Sequence, residues 1–182
     1  MSRCFLILLS AALVSVAPAQ KPATYDEAAN AHELIDAALT KARRDDKRVM
    51  VVFGANWCGW CHKLADAFKR RELRRPLRDD YEVVKVDIGK WDKNLDLVKK
   101  YEADIKQHGV PFITVLDSKG EVVKNQPTTP LEEGKEHSTE KLLAFLKANK
   151  PTPLDATAVL ASAISAAKKS DRKVLVHLGA PW

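Results

Sequence analysis

The sequence predicts an α/β fold in which a mixed central sheet carries helices on both faces. Short apolar runs rich in β-branched residues, such as Val49–Phe53, are typical of buried strands. Stretches with apolar residues at helical spacing, such as Leu34–Ala42, alternate with these runs. After a first helix the elements follow the order βαβα and then ββα, which favours a sheet with both parallel and antiparallel neighbours.

In the first half of the chain, the hydrophobic pattern predicts a helix and two strands. They span Tyr25–Asp46, Val49–Phe53 and Tyr81–Ile88. Between the two strands a helix begins at a pair of cysteines, and we expect it to continue until Pro76 stops it. The cations over 69–75 complement its dipole and are expected to form a solvated helix face.

The second half is predicted to hold a short helix, a hairpin and a final helix. The short helix spans Asn94–Tyr101, the hairpin strands Phe112–Leu116 and Glu121–Lys124, and the last helix ends at Asn149. Leu95 and Val98 are expected to face inward from the short helix. A polar loop over 126–137 precedes the last helix, which Ser138 or Thr139 caps.

Residues 1–19 have the pattern of a signal peptide. Arg3 supplies a positive charge, an apolar run over 5–16 follows, and Ala17-Pro18-Ala19 fits an A-x-A cleavage site. The run is short for a membrane span, so an uncleaved anchor is the less favoured alternative. We expect an exported protein, periplasmic or extracellular, that meets a membrane only if this segment stays uncleaved.

The C-terminal residues repeat an earlier part of the chain. At an offset of 125 residues, 163–182 align with 38–57, and the alignment keeps both the apolar stripe and a terminal tryptophan. We expect a first domain over 20–149, a proline-containing linker over 150–156, and over 157–182 the truncated start of a second, similar domain in a longer tandem protein. The alternative is that these residues form a C-terminal extension of the first domain. Its helix and its strand, over Val174–Leu178, would then pack on that domain.

Cys58 and Cys61 lie where the strand Val49–Phe53 passes into a helix. A helix start offers unpaired backbone N–H groups and a positive dipole end, which stabilise a thiolate. The thiolate is the form that attacks disulfides, and the two-residue spacer lets the second thiol close a ring with the first. The third cysteine, Cys4, lies within the signal segment. The pair therefore predicts a dithiol/disulfide exchange centre.

Three other uses of the cysteine pair are less favoured. The stretch 58–62 also fits the C-x-x-C-H haem attachment pattern, but Met50, the only methionine beyond the signal segment, lies inside a strand. A zinc site would need a second ligand pair, and His62, His108 and His137 show no metal spacing. A purely structural disulfide would close too short a loop to contribute much stability. We expect no metal and no cofactor.

Three motifs carry a resemblance to a known family. They are Trp57-Cys58-Gly59-Trp60-Cys61 after a strand, Gly109-Val110-Pro111-Phe112 before another strand, and Trp91-Asp92-Lys93-Asn94-Leu95. With them, residues 25–149 resemble the thioredoxin superfamily, and most of all secreted bacterial thioredoxin-like domains of the disulfide-interchange type. The resemblance implies a thioredoxin fold, followed by a partial second thioredoxin-like repeat.

The resemblance also implies the roles of the site residues. Cys58 would be the nucleophile of thiol–disulfide exchange and Cys61 the resolving thiol. Pro111 would be cis and face the pair, and the backbone of Val110 would pair with an extended substrate. The implied function is that of an exported thiol–disulfide oxidoreductase, which acts on protein or peptide disulfides and is recycled by a redox partner.

The sequence departs from thioredoxins around the cysteines. Val52 stands where they have a buried aspartate that helps to move protons, and Lys85 matches the lysine that partners this acid. Gly59-Trp60 replaces Gly-Pro, and His62 follows where lysine is usual; a protonated His62 near the sulfurs would favour the thiolate. These departures keep the reaction type and leave its direction open between reduction, oxidation and isomerisation.

Trp57 and Trp60 flank the reactive sulfur and are expected to form an apolar rim for substrate, with Trp60 the more exposed of the two. The chain has a net charge of +6, but cations and acids are interleaved and no aromatic-rich basic stretch predicts nucleic-acid binding. The alternative function is a non-catalytic interaction module, which would not need an intact cysteine pair and its proline.

Overall fold

The central sheet of the protein has four strands in the order β2-β1-β3-β4. A computed structural model describes residues 23–177, so the predicted signal segment lies outside the described residues. The strands are β1 (Arg48–Gly54), β2 (Tyr81–Asp87), β3 (Phe112–Leu116) and β4 (Val122–Pro127). β1 pairs in parallel with β2 and antiparallel with β3, and β3 pairs antiparallel with β4. The predicted mixed sheet is confirmed.

Helices cover both faces of this sheet, as predicted. One face carries α1 (Ala31–Asp45), α4 (Leu95–Lys100) and α5 (Ile105–His108), and the other carries α2 (Gly59–Ala67), α3 (Arg71–Asp80) and α6 (Thr139–Asn149). Alternate residues of β1 divide between the two cores, because successive side chains of a strand point to opposite faces. Val49, Val51 and Phe53 pack with α1, whereas Met50 and Val52 pack with α2, α3 and α6.

The first helix begins at Ala31, six residues later than the pattern from Tyr25 predicts. The Asn30 side chain accepts hydrogen bonds from the N–H groups of the second and third helical residues and so fixes the start. At the other end, Asp46 adopts a left-handed conformation with φ 52°. Because the helix begins at Ala31, the residues before Asn30 lie outside it, and their segment runs towards the cysteines.

The helix that begins at the cysteines does not run to Pro76; it breaks after Ala67. Arg70 is extended, and its guanidinium donates to the His137 carbonyl at 2.7 Å and to Thr139 Oγ1 at 2.8 Å. These long-range bonds turn the chain and start α3, with Pro76 inside it. α3 tolerates this proline because its leucines are buried against α6 and β2. The predicted cation cluster therefore lies at the start of α3 rather than at the end of α2.

Smaller differences concern the second half of the chain. Leu97 rather than Leu95 is the buried leucine of α4, and Leu95 is 43% exposed. The predicted loop over 126–137 contains a short hairpin, β5 (Glu132–Glu133) with β6 (Glu136–His137). The helix α5 was not predicted, because its single turn is too short to show a hydrophobic period.

The two ends of the last helix, α7 (Ala156–Lys169), have the same capping geometry as the ends of α1, at the offset of 125 residues. Asp155 caps α7 through the N–H groups of Thr157 and Ala158, as Asn30 caps α1 through the equivalent N–H groups. Asp171 has φ 51°, close to the 52° of its equivalent Asp46. Each is followed by an N–H that donates 2.9 Å to the helix carbonyl five residues back.

No residue of α7 is buried, in contrast to α1. Residues 174–177 form no strand within the part of the chain that the structure describes, and Leu178, the last residue of the predicted strand, lies outside it. A strand assignment requires a hydrogen-bonded partner, and no described segment supplies one here. The described part of the predicted second repeat thus contains one helix and no strand, and the repeat itself stays a prediction.

Candidate active site

A disulfide between Cys58 and Cys61 lies at the start of α2, with the two Cα atoms 5.2 Å apart. Cys58 is the N-cap residue, and its Sγ accepts a hydrogen bond from the Cys61 N–H at 3.1 Å. The N-terminal end of the helix therefore faces this sulfur, which favours a thiolate there on reduction. Cys58 is 6% exposed and Cys61 only 1%, so Cys58 is the more accessible of two largely covered sulfurs.

The loop before β3 lies against the disulfide. The Val110–Pro111 peptide bond is cis, as the resemblance predicts. The carbonyl oxygen of Val110 lies 3.5 Å from Cys58 Sγ. On the far side, the Thr128 hydroxyl donates to the Pro111 carbonyl at 2.8 Å and ties the loop to the end of β4. Residues distant in sequence thus meet at the more accessible sulfur.

The two tryptophans beside the cysteines differ in exposure, and the prediction that Trp60 is the more exposed is wrong. Trp57 is 53% exposed, donates its indole N–H to the Gly89 carbonyl at 2.7 Å and packs against Trp91 with ring centroids 5.7 Å apart. Trp60 is partly buried, because its ring meets the edge of the His137 ring with 5.2 Å between centroids. Gly59 between the cysteines is exposed, with open space at its Cβ position.

Tyr25 is part of the site, and sequence reasoning missed it by placing it in a helix. Its side chain is 1% exposed and packs against both cysteines. A Cβ added at Gly54 would overlap the Tyr25 hydroxyl and would lie 2.8 Å from Cys61 Sγ. Burial, and then the nearby carboxylate of Asp87, raise the pKa of Tyr25 well above its ordinary value. The phenol therefore remains protonated.

Asn56 and His62 hold the segment that carries Tyr25. Asn56 Oδ1 accepts from the N–H groups of Thr24 and Tyr25, each at 2.9 Å, and its Nδ2 donates to the Tyr25 carbonyl. His62 Nδ1 lies 2.7 Å from Thr24 Oγ1, and Nε2 lies 2.7 Å from the Asn56 carbonyl oxygen. Because a carbonyl only accepts, Nε2 carries a proton. Nδ1 of His62 thus binds this segment, and Nε2 binds the backbone of Asn56, so neither nitrogen is directed to the sulfurs.

Two charged residues of β2 lie on the sheet face that α2 covers. Lys85 pairs across the strands with Val52, and Asp87 pairs with Gly54. Lys85 is partly buried, and burial, followed by the charge of Lys69, lowers its pKa. Asp87 is 5% exposed. No motif pointed to Asp87, whose burial is visible only in the folded protein.

A metal ion or a haem at this site would have to use the cysteine pair and its neighbours. Within residues 23–177, no group of three or more His, Cys, Asp or Glu side chains is placed to hold a metal ion. Covalent haem attachment would consume both sulfurs, which here form the disulfide. His62, which would ligate the iron, has both nitrogens within 2.7 Å of other groups. The cysteine pair thus has the geometry of the oxidised form of a dithiol/disulfide couple.

Comparisons with known proteins agree with this site. The sequence model of the thioredoxin-like family matches residues 30–118. A crystal structure described as a disulphide isomerase from Xylella fastidiosa Temecula1 is 32% identical and superimposes with a TM-score of 0.62, covering 69% of this chain and 95% of its own. The chain belongs to the thioredoxin-like family. Its fold is that of the thioredoxin-like disulfide oxidoreductases, with a C-x-x-C pair in the disulfide state.

A second solved structure supports only the fold of this thioredoxin-like protein. The C-terminal domain of Neisseria meningitidis DsbD in the oxidised form is 20% identical, with a TM-score of 0.51, and the match covers 67% of this chain and 97% of that domain. No curated protein sequence matches the chain. Within residues 23–177, no helix combines the length and the hydropathy needed to cross a bilayer.

Proposed function

We propose that this thioredoxin-like protein is an exported thiol–disulfide oxidoreductase that exchanges disulfides with protein or peptide substrates. The observation that carries the proposal is the Cys58–Cys61 disulfide at the start of α2, opposite Val110 and the cis Pro111. The description of the similar Xylella fastidiosa protein as a disulphide isomerase supports the same reaction class. Export is supported by the signal-peptide pattern of residues 1–19.

In the reducing direction, the Cys58 thiolate attacks one sulfur of a substrate disulfide, and the other substrate sulfur leaves as a thiolate. Cys61 then loses its proton and attacks Cys58 Sγ in the mixed disulfide. The second substrate sulfur leaves, the substrate is reduced by two electrons, and the Cys58–Cys61 disulfide forms. Oxidation of a substrate is the same sequence in reverse, and a redox partner restores the starting state.

The substrate would bind over the more accessible sulfur. Trp57 offers an exposed apolar surface beside Cys58, and the backbone around Val110 offers hydrogen-bonding groups to an extended peptide. Trp60 contributes less, because its ring is partly covered by His137. We propose that Gly59, His62 and Lys85 modulate the pair indirectly, His62 by holding the segment of Tyr25.

We also propose that residues 157–182 begin a second thioredoxin-like unit, after a linker over 150–156. The matching caps of α1 and α7 support this proposal beyond the sequence alignment. The uncovered apolar face of α7 supports it too, because the equivalent face of α1 is buried against the sheet.

Reduction of insulin by dithiothreitol tests the proposed activity, since an exchange enzyme accelerates the precipitation of the freed chains. The matched control is the Cys58→Ser variant, which keeps the fold and loses the nucleophile. Equal rates with the wild type, with this variant and with no protein would contradict the proposal and favour an interaction module. Equilibration of the pair with glutathione then gives its reduction potential, which decides the direction within a family range of about −270 to −120 mV.

A further inference from the structure

The mechanism so far makes no use of the most deeply buried carboxylate of the site. Asp87 is the last residue of β2, and its Oδ2 is buried without a hydrogen-bond partner. Lys93 Nζ approaches this oxygen only to 3.6 Å. Burying a carboxylate oxygen without a close partner costs free energy, because the charge loses its hydration. A charged side chain that is buried at this cost in free energy is expected to have a function that a neutral residue could not perform.

The strand register places Asp87 beside the less accessible sulfur. Asp87 pairs with Gly54 across two parallel strands, so the two positions lie on the sheet face that α2 covers. The Cα atoms of such a pair are about 4.8 Å apart. Gly54 has no side chain, and the Tyr25 hydroxyl and Cys61 Sγ share the space that a Cβ would occupy. The influence of Asp87 on the pKa of Tyr25 is a further sign that the two groups are close. The carboxyl group therefore borders the pocket in which Cys61 must ionise.

We propose that Asp87 accepts the proton that the Cys61 thiol loses when it resolves the mixed disulfide. This inference rests on the proposed exchange function. The Cys61 S–H bond breaks, its proton passes to the Asp87 carboxylate directly or through the Tyr25 hydroxyl, and the sulfur electron pair forms the bond to Cys58 Sγ. The substrate sulfur leaves as a thiolate. In the reverse direction the Asp87 carboxylic acid returns the proton to Cys61 as the disulfide is reduced.

Cys61 needs such an acceptor because it is 1% exposed and solvent has little access to it. The neighbouring β1 position on the same face, Val52, carries no acid. Tyr25 is suited to pass a proton on, since its hydroxyl remains protonated and can donate to the carboxylate while it accepts from the thiol. Among residues 23–177, Asp87 is the buried carboxylate next to the pocket of Cys61.

A cavity of about 270 Å³ gives the proton a way out. It lies beside Trp57 and has Asp87 in its wall, and it is large enough to hold water. Other titratable groups line the cavity or lie on the elements around it, which are β2, α2 and the N-terminal segment. They are Glu27, Lys90, Asp92, Lys93, Lys85, His62 and Tyr25.

The first experiment measures how fast Cys61 resolves a preformed mixed disulfide between Cys58 and a peptide thiol, at several pH values. In the wild type the rate is expected to change little around neutral pH, because Asp87 takes the proton from the thiol. In Asp87→Asn the rate should rise about tenfold per pH unit until the thiol ionises unaided, and at pH 6 it should be at least about tenfold below wild type. Above about pH 9.5, beyond the ordinary pKa of a thiol, the two rates should converge.

A second readout does not depend on exchange activity. In a Cys58→Ser background, alkylation of Cys61 reports the formation of its thiolate. Removing a nearby negative charge favours the thiolate, so Asp87→Asn should move the half-maximal rate to lower pH by roughly one unit. Glu27→Gln is the matched control, since it removes the same charge from an exposed residue of the same cavity and is expected to leave both profiles unchanged. Asp87→Ala serves as a second variant if Asp87→Asn does not fold.

The outcomes separate this inference from the proposed function. A wild type that accelerates no disulfide exchange refutes the function, whereas an unshifted alkylation profile in the Asp87 variants refutes the role of Asp87. An equal loss of rate at every pH, together with a lower melting temperature, would identify Asp87 as a structural partner of Lys93 and overturn the proposal. An equal effect of Glu27→Gln would overturn it too, because the effect would then be one of general charge.

Discussion

Replacement of Gly54 by alanine is expected to destabilise the oxidised protein by about 1–2 kcal/mol. The new Cβ would lie 2.6 Å from Tyr25 Cζ and 2.8 Å from Cys61 Sγ, where ordinary contacts between heavy atoms need about 3.5 Å or more. Neither neighbour can move away easily, because Tyr25 is buried and Cys61 is fixed in the disulfide. Gly54 is therefore required for space and not for its backbone conformation.

The magnitude follows from two opposing contributions. Overpacking of a filled core costs about 1–3 kcal/mol, whereas loss of the flexibility of glycine in the unfolded chain returns about 0.4–1 kcal/mol. For a protein of this size the net effect corresponds to a melting temperature lower by roughly 2–8 °C. The measurement is thermal and urea unfolding of the oxidised protein, followed by circular dichroism.

Two further variants make this test specific. Gly59→Ala is the matched control, because an added Cβ meets no atom within 4 Å, and it should be neutral or stabilising by up to about 1 kcal/mol. Tyr25→Phe removes the hydroxyl that the new methyl would overlap, so Gly54→Ala should cost about 0.5–1 kcal/mol less in that background. The packing argument is refuted if Gly54→Ala is as stable as the wild type, or if its cost is the same with Phe at position 25.

Three other predictions concern the cysteines, His137 and the C-terminal residues. Cys58→Ser should abolish exchange while Cys61→Ser accumulates mixed disulfides detectable by mass spectrometry; preferential alkylation of Cys61 in the reduced protein at mildly acidic pH would reverse the two roles. Burial lowers the pKa of His137, so the unfolded chain binds this proton at higher pH than the folded one. Stability should therefore fall as the pH drops below about 6.5, and His137→Gln should lose that part of the pH dependence of the urea midpoint; an unaltered dependence would exclude His137 as its source. Limited proteolysis should remove the residues after Pro151 and leave the first domain folded and active, because α7 buries none of its side chains; a tail as resistant as the domain would speak against a separate second unit.

The features that the sequence predicted correctly are local ones. The run before Gly54, the two cysteines at a helix start and the proline before β3 each carry their information within a few residues. A strand, a helix cap and a turn are decided by such neighbours, so their positions were predictable. The mixed sheet followed from the order of these elements.

The features that the sequence analysis missed depend on partners far along the chain. The break after Ala67 is fixed by Arg70, whose partners follow 67 and 69 residues later. Trp60 is covered because His137 folds over it, which reversed the expected exposure of the two tryptophans. Asp87 looks like one more polar residue of an alternating strand until its pairing with Gly54 is known. Tertiary contacts, which no local pattern encodes, decide all three.

The hydrogen bonds of Asn56 and His62 to residues 24–25 have a consequence for hydrogen exchange. They join a short segment to the rest of the protein outside the sheet, so this segment can open locally at a lower free energy than global unfolding requires. Such an opening withdraws Tyr25 and uncovers Cys61 while the strands stay paired. Exchange of the Thr24 and Tyr25 amides should therefore be faster than that of β1 and insensitive to low denaturant. The exposure of Cys61 Sγ to solvent would then depend on the free energy of this local opening rather than on the stability of the whole domain.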